Sequence, residues 1–198
     1  MERRRATRAA NEEEARGRAV KAATRPTRAS KEIMVATWNT RTMAEKGRSN
    51  GIGHAETLLR RARRAGCDIV GLQETRRSLP TSFQAAGYTV FCSGGEEGKG
   101  THGVGLAVCN SIVSKKGYSP EPIYGRMTKV RLNLSGKSNA VTAVVAYAPT
   151  LVASKEDKSR FWGELSESVK AVLKKDHLFL LMDANARTGT RDQGGGGK

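Results

Sequence analysis

Three apolar runs in this chain stop abruptly at carboxylates and carboxamides: Trp38-Asn39-Thr40, Leu72-Gln73-Glu74-Thr75 and Met182-Asp183-Ala184-Asn185. A buried strand that ends on such a group holds it rigidly, and rigid elements make the best supports for a site. Brought together, the carboxylates of Glu74 and Asp183 and the amides of Asn39 and Asn185 would suit a hard, oxygen-liganded cation such as magnesium. The competing reading is that each group only turns or caps the chain, and spacing alone leaves both open. A fourth cluster is Ala146-Tyr147-Ala148-Pro149-Thr150. A strand-end Tyr before Pro is ordinarily an edge marker. Its phenol can also donate to a phosphate oxygen or a leaving group.

The elements that must carry these clusters follow from periodicity. Ile33 to Trp38, Asp68 to Leu72, Tyr88 to Phe91 and His102 to Val108 are short β-rich apolar runs and read as strands. Gly94 to Gly100 reads as a flexible loop. Ala55, Leu58, Leu59, Ala62 and Ala65 recur at helical spacing, and Gly66 suits the stop. Arg60, Arg61, Arg63 and Arg64 fall on the other side of that helix, more as a solvated face than as a phosphate contact. Met127 to Leu134 and Ala140 to Tyr147 read as a hairpin across Ser135-Gly136-Lys137-Ser138-Asn139. Ser154 with Asp157 opens a second helix, expected over Lys155 to Lys175, with Phe161, Trp162, Leu165, Val169, Val172 and Leu173 on its core face. Lys174 and Lys175 would then sit at its negative end. His177 to Met182 reads as a buried strand delivering Asp183. Helices between strands predict a layered α/β domain.

Composition sets the outer bounds. A chain of 198 residues holds one domain, or one domain and a tail. Lys and Arg number 35 against 19 Asp and Glu, a net charge of +16. Such a surplus attracts polyanions, nucleic acid first among them, although a basic solvated surface would look the same. Residues 1–31 are Arg-rich with few large apolar groups, so they read as a mobile basic arm. They contain no apolar stretch of the kind a secretory signal needs. No apolar run reaches the roughly 20 residues of a bilayer span. Cys67, Cys92 and Cys109 are odd in number and lack metal-ligand spacing, which fits reduced thiols inside a cell.

The clusters, taken in order, resemble the endonuclease/exonuclease/phosphatase superfamily, and most of all the apurinic-type endonuclease domains of non-long-terminal-repeat retrotransposons and craniofacial development protein 2-like sequences. The residues that carry the likeness are Thr37-Trp38-Asn39-Thr40-Arg41-Thr42, Asp68-Ile69-Val70-Gly71-Leu72-Gln73-Glu74-Thr75-Arg76, His102-Gly103-Val104-Gly105-Leu106-Ala107-Val108, Tyr147-Ala148-Pro149-Thr150 and Asp183-Ala184-Asn185-Ala186-Arg187-Thr188-Gly189. The resemblance implies an α/β sandwich of two β-sheets flanked by helices, over about residues 32–190, with a Gly-rich end at 191–198. It implies a metal-dependent phosphodiesterase, a DNA endonuclease of retroelement type using magnesium or manganese. Glu74 becomes the main metal ligand. Asn39 orders the metal's water shell and Glu74, and Tyr147 lies near the scissile phosphate. Asp183 orients or deprotonates the attacking water, and Asn185 donates to the phosphate. Arg41, Arg76 and Arg187, which flank these positions, become contacts to nucleic acid. The implied partner is DNA in the nucleus, with no membrane and no obligate protein partner evident.

Two departures temper the likeness. Met182-Asp183-Ala184-Asn185 stands where the family has Gly-Asp-Phe-Asn. The family's late Ser-Asp-His cluster has no counterpart, because His54, His102 and His177 lie elsewhere. The expectation is therefore a C-terminally truncated domain, nearly inactive and poorly stable as it stands, with an uncovered apolar face on Ala140 to Tyr147 or Leu178 to Met182. Two alternatives remain at this point: a catalytically dead retroelement remnant that at most binds nucleic acid, and a sugar or lipid phosphatase of the same fold, which would need no basic arm. The arm makes the first prediction. Deleting residues 1–31 should weaken DNA binding equally for all sequences, and the deficit should shrink as salt rises, because arm contacts act by counterion release. Titration of both chains at two salt concentrations measures this; unchanged affinity at low salt would leave the arm without a role in binding.

Overall fold

The computed structural model describes residues 32–43, 52–95, 101–134 and 140–186. The expected arm (1–31), the Gly-rich end (191–198) and Arg187 lie outside the described residues. Within the described residues nine strands and two helices follow in order: β1 (Val35–Asn39), α1 (Ile52–Arg64), β2 (Ile69–Gln73), β3 (Thr81–Ala85), β4 (Tyr88–Cys92), β5 (Val104–Cys109), β6 (Val113–Tyr124), β7 (Met127–Leu134), β8 (Val141–Tyr147), α2 (Lys155–Lys170) and β9 (His177–Asp183). They build two mixed sheets, β1-β2-β5-β4-β3 and β6-β7-β8-β9. Two pairs, β1 with β2 and β8 with β9, are parallel. The fold is the expected α/β sandwich of two sheets flanked by helices.

Strand alternation assigns each side chain to a layer. Between the sheets lie Ile69, Leu106 and Val108 from the first and Val130, Leu132, Ala143, Val145 and Leu181 from the second. The outer face of the first sheet presents Val70, Leu72 and Val90 to Ala55, Leu58, Leu59 and Ala62 of α1. The outer face of the second presents Val144 and Ala146 to Phe161 and Leu165 of α2. Because β2 and β8 are covered on both faces, all their residues are buried. The sheets approach closely at Gly71, where a Cβ would stand 2.7 Å from Leu181 Cβ.

Several expectations are corrected. The second helix ends at Lys170, not Lys175, so Lys174 and Lys175 occupy the following turn. That turn is tied by Val172 N donating to Val169 O and Asp176 N donating to Leu173 O. Asp176 is then gripped by Arg131 through both carboxylate oxygens, at 2.6 and 3.0 Å, and by the Thr142 hydroxyl at 3.0 Å. Trp162 and Leu173 are exposed, and Ser168 takes a buried place on the helix instead. The strand over His177–Asp183 is not buried but an edge: Leu178 and Leu180 are 37% and 43% exposed. The uncovered apolar face thus falls on β9, while β8 is fully covered. The strand expected from His102 begins at Val104, because His102 and Gly103 both take positive φ.

The structure adds β3 and β6, which had no clear sequence signal. The β3–β4 hairpin turns on Ala86-Gly87, both with positive φ, where Asn or Asp would ordinarily precede the Gly. The irregular β6 contains Pro120 and Pro122, and its register shifts twice against β7. Edge strands tolerate both features.

The sheet contact yields a paired prediction. Gly71→Ala should destabilise the fold by about 1–3 kcal/mol through overpacking against Leu181. Gly163→Ala, at an α2 position where a Cβ meets nothing within 4 Å, should stabilise by about 0.5–1 kcal/mol. Denaturant midpoints of the two variants should move in opposite directions; equal shifts would refute the close approach.

Candidate active site

Parallel pairing brings the strand-end clusters level. In the first sheet Asn39 pairs with Gln73, so Glu74 follows directly beside it. In the second sheet Tyr147 pairs with Asp183. Backbone bonds hold the strand exits: Thr40 N donates to Gln73 O at 2.8 Å, and Ala148 N donates to Asp183 O at 2.9 Å. Below the site, buried Gln73 donates through Nε2 to Thr37 Oγ1 at 2.8 Å and to Leu181 O at 3.3 Å, linking the two sheets.

At the rim the side chains of both sheets interlock. Asn39 Nδ2 donates to Glu74 Oε1 at 2.9 Å and to Asp183 Oδ2 at 3.1 Å. The Tyr147 hydroxyl donates to the same Glu74 Oε1 at 3.0 Å, and Arg76 Nη2 reaches Glu74 Oε2 at 2.9 Å. Asn185 N donates to Asp183 Oδ1 at 3.0 Å, while its amide Nδ2 donates to Ala148 O at 2.6 Å. Asn39 Oδ1 accepts from Arg41 N at 2.9 Å, and the Arg41 side chain is exposed at the rim. Asn39, Glu74, Arg76, Tyr147, Asp183 and Asn185 are thus one bonded cluster, with Arg41 at its border.

An open cavity of about 310 Å³ adjoins the cluster, lined by Glu74, Arg76, Thr101, His102 and Tyr147. Two residues beside the Tyr147 ring, Arg126 and His102, are not among the site residues expected from the sequence, although His102 opens one of the segments that carry the resemblance. Arg126, in the β6–β7 turn, places its guanidinium 5.6 Å from the Tyr147 ring centroid. Its Nη2 lies 2.7 Å from His102 Nε2, and the His102 ring stands 5.9 Å from that of Tyr147. Backbone strain, visible only in the folded chain, marks His102 and much of the rim. Among the described residues six non-glycines have positive φ, and five of them, Arg41, Glu74, Arg76, His102 and Asn185, are at this site. Such strain persists only where the surroundings over-determine it, and it concentrates at functional positions.

Electrostatics favour an ionised Glu74. Burial pushes its carboxyl upward, but hydrogen bonds from Asn39, Tyr147 and Arg76, with the charge of Arg76, together hold it below the usual range. Tyr147 shifts the other way. Burial raises its phenol, donation from Asn185 opposes this, and the charges of Glu74 and Asp183 raise it further, so the phenol remains a donor. Two carboxylates with amide oxygens nearby form a hard donor set. Among the described residues no group of three or more His, Cys, Asp or Glu is placed to hold a metal. Magnesium commonly uses one or two carboxylates and keeps several waters, so the residues present fit it.

A two-sheet α/β sandwich with acidic and amide side chains gathered at adjoining strand ends defines the class of this scaffold. The chain belongs to the endonuclease/exonuclease/phosphatase family, whose profile it matches over residues 36–187. It is 27% identical to craniofacial development protein 2 of Bos taurus over 162 residues, covering 81% of this chain and 25% of that protein. The chain therefore spans about a quarter of the length of that relative. Its fold is similar to the catalytic domain of Xenopus laevis APE2, with a TM-score of 0.55 and 20% identity, over 77% of this chain and 58% of that one. It is also similar to the endonuclease domain of TRAS1, a telomere-specific non-LTR retrotransposon, with a TM-score of 0.51 and 18% identity, over 79% and 61% of the two chains. At these identities the likeness to solved structures concerns the fold. No helix among the described residues is long and apolar enough to cross a membrane.

The depressed Glu74 yields a pH prediction. An acid held below its ordinary range contributes stability that is fully present above that range and is lost as pH falls through the lowered value. Tyr147→Phe removes one donor and should cost about 1 kcal/mol at neutral pH. The penalty should fade in acid, where Glu74 is protonated in parent and variant alike. Denaturant titrations at both pH values, without divalent cation, test this; an undiminished penalty in acid would show that the phenol does not serve the carboxylate ion.

Proposed function

We propose that this chain is a metal-dependent phosphodiesterase that cleaves DNA, with magnesium as its ion and manganese as a substitute. The observation that carries the reading is the interlock of Asn39, Glu74, Tyr147 and Asp183, drawn from both sheets onto one rim beside an open cavity. Glu74 would hold the metal, with Asn39 ordering the carboxylate and the water around the ion. When bound, the ion would supply positive charge to a non-bridging phosphate oxygen, where charge develops during cleavage.

The remaining work falls to the chain's own groups. Asp183, oriented by Asn39 and by Asn185 N, accepts a proton from the attacking water. Tyr147, kept protonated, would turn its single O–H from Glu74 Oε1 to a phosphate oxygen, and the second Nδ2 hydrogen of Asn185, the first being spent on Ala148 O, would donate to another. Arg41 and Arg76, at the rim, would contact a nucleic-acid backbone, and Arg187 is assigned the same role from the sequence. The net charge of +16 favours a polyanion over a small sugar or lipid phosphate. A DNA substrate would place the protein in the nucleus, and the relation to retroelement endonucleases makes an origin in such an element the natural one.

Plasmid nicking tests the reading. The chain should relax supercoiled DNA when magnesium is added, but slowly, because the late Ser-Asp-His cluster of the family has no counterpart in it. Glu74→Ala should lower nicking and weaken its response to magnesium. Asp183→Asn should lower turnover by about 100-fold or more while leaving DNA affinity nearly intact, since loss of a base acts on the transition state. If Asp183→Asn nicks as fast as its parent, Asp183 is not the base. If the parent does not nick at all, the chain is a binding remnant of the family.

A further inference from the structure

We propose that His102 is a positioning residue of this site, holding Arg126 against the ring of Tyr147 so that the phenol meets its ligand in one orientation. The proposal rests on the phosphodiesterase reading for its kinetic consequence, but not for its structural content.

Hydrogen-bond chemistry sets the protonation of the pair. A guanidinium has only donors, so in the 2.7 Å contact with Arg126 the His102 Nε2 must be the acceptor. The ring proton then resides on Nδ1, and the imidazole is neutral. A cationic His102 would turn a donor toward a donor and set two positive charges side by side. One hydrogen bond therefore fixes the tautomer of His102.

The backbone shows that this placement is imposed. His102 has φ 59° without being glycine. Its carbonyl accepts from Arg76 N at 2.9 Å, and the next carbonyl, Gly103 O, accepts from Thr75 N at 3.0 Å. A Cβ at Gly103 would lie 2.6 Å from Thr75 Oγ1, so the 101–103 turn is pressed against the segment that carries Glu74. His102 is thus coupled to the Glu74 segment through its backbone and to Arg126 through its side chain.

Arg126 in turn lies beside the Tyr147 ring at 5.6 Å, within the range in which a cation is attracted to an aromatic face. His102 adds its own ring at 5.9 Å. The Tyr147 hydroxyl points to Glu74 Oε1 at 3.0 Å. The chain of contact runs from His102 to Arg126 to the Tyr147 ring, and ends at the phenol that the proposed reaction uses. His102 acts through these neighbours, and the role differs from that of a phosphate-contacting histidine.

Two measurements test this on the 198-residue chain. The first is ¹⁵N nuclear magnetic resonance of the histidine rings. Only His54, His102 and His177 contribute, and the His102→Gln variant assigns the resonance. At neutral pH His102 should carry its proton on Nδ1 with Nε2 bare, and Arg126→Met should abolish that preference. A proton on Nε2 in the parent would overturn the proposal. The second is nicking. His102→Ala should lower kcat by about 10- to 100-fold with little change in KM, the size of effect expected from a misplaced group. His102→Gln, whose Oε1 can accept from Arg126 in place of Nε2, should recover most of the loss. The double variant His102→Ala/Arg126→Met should be little worse than Arg126→Met, because both remove one contact. Equal nicking by His102→Ala and the parent, or no recovery with Gln, would overturn the positioning role. A parent that shows the Nδ1 tautomer but never nicks would leave the brace standing and remove the phosphodiesterase reading.

Discussion

Two carboxylates from different sheets are held within reach of a single amide nitrogen, and the arrangement of this molecule follows from that constraint. Glu74 and Asp183 would repel each other if placed together unaided. Asn39 Nδ2 lies between them and donates to both. The phenol of Tyr147 and the guanidinium of Arg76 complete the neutralisation on Glu74, and Asn185 N does so on Asp183. These donors must arrive from several segments at one height. Parallel pairing of β1 with β2 and of β8 with β9 achieves this, because parallel neighbours end on the same side of a sheet.

The same logic explains which parts of the molecule are legible in the amino-acid sequence. Strands covered on both faces must be continuously apolar, so β2 and β8 announce themselves, and so does the abrupt change to Gln73-Glu74 or Tyr147-Ala148-Pro149. The helical stripe of Ala55, Leu58, Leu59 and Ala62 is equally plain, since all four are buried. Elements at the margins carry weaker patterns. The β3 strand sits at a sheet edge with a turn residue, Ala86, that lacks the usual turn chemistry. The turn after α2 is anchored by Asp176, held by Arg131 45 positions away, which no local pattern reports. The apolar run of β9 reads as interior although one face is open, because periodicity records apolar character and not what covers it.

The site divides in the same way. Asn39, Glu74, Tyr147, Asp183 and Asn185 stand at strand ends and are visible as breaks in apolar runs. Arg126 and His102 are not, because neither interrupts such a run. Arg126 follows Gly125 in a turn, and His102 precedes a strand from which its own φ excludes it. Their place becomes evident only when β5, the β6–β7 turn and β8 are assembled. Positive φ at five residues around the rim shows the cost of that assembly, met by the backbone bonds that zip residues 75 and 76 to 102 and 103.

Gln73 gives the arrangement a dynamic character. Its buried amide joins β1 and β9 directly beneath Asn39, Glu74 and Asp183. Separating the sheets at this end would break its bond to Leu181 O while leaving those to Thr37 on the same sheet, at a cost of roughly 0.5–1.5 kcal/mol in addition to the apolar packing given up. Breathing of the rim is therefore tied to opening of the inter-sheet core. Amide protons around Gln73 and Leu181, both buried, should therefore exchange with the core, although both lie within a few residues of an open cavity.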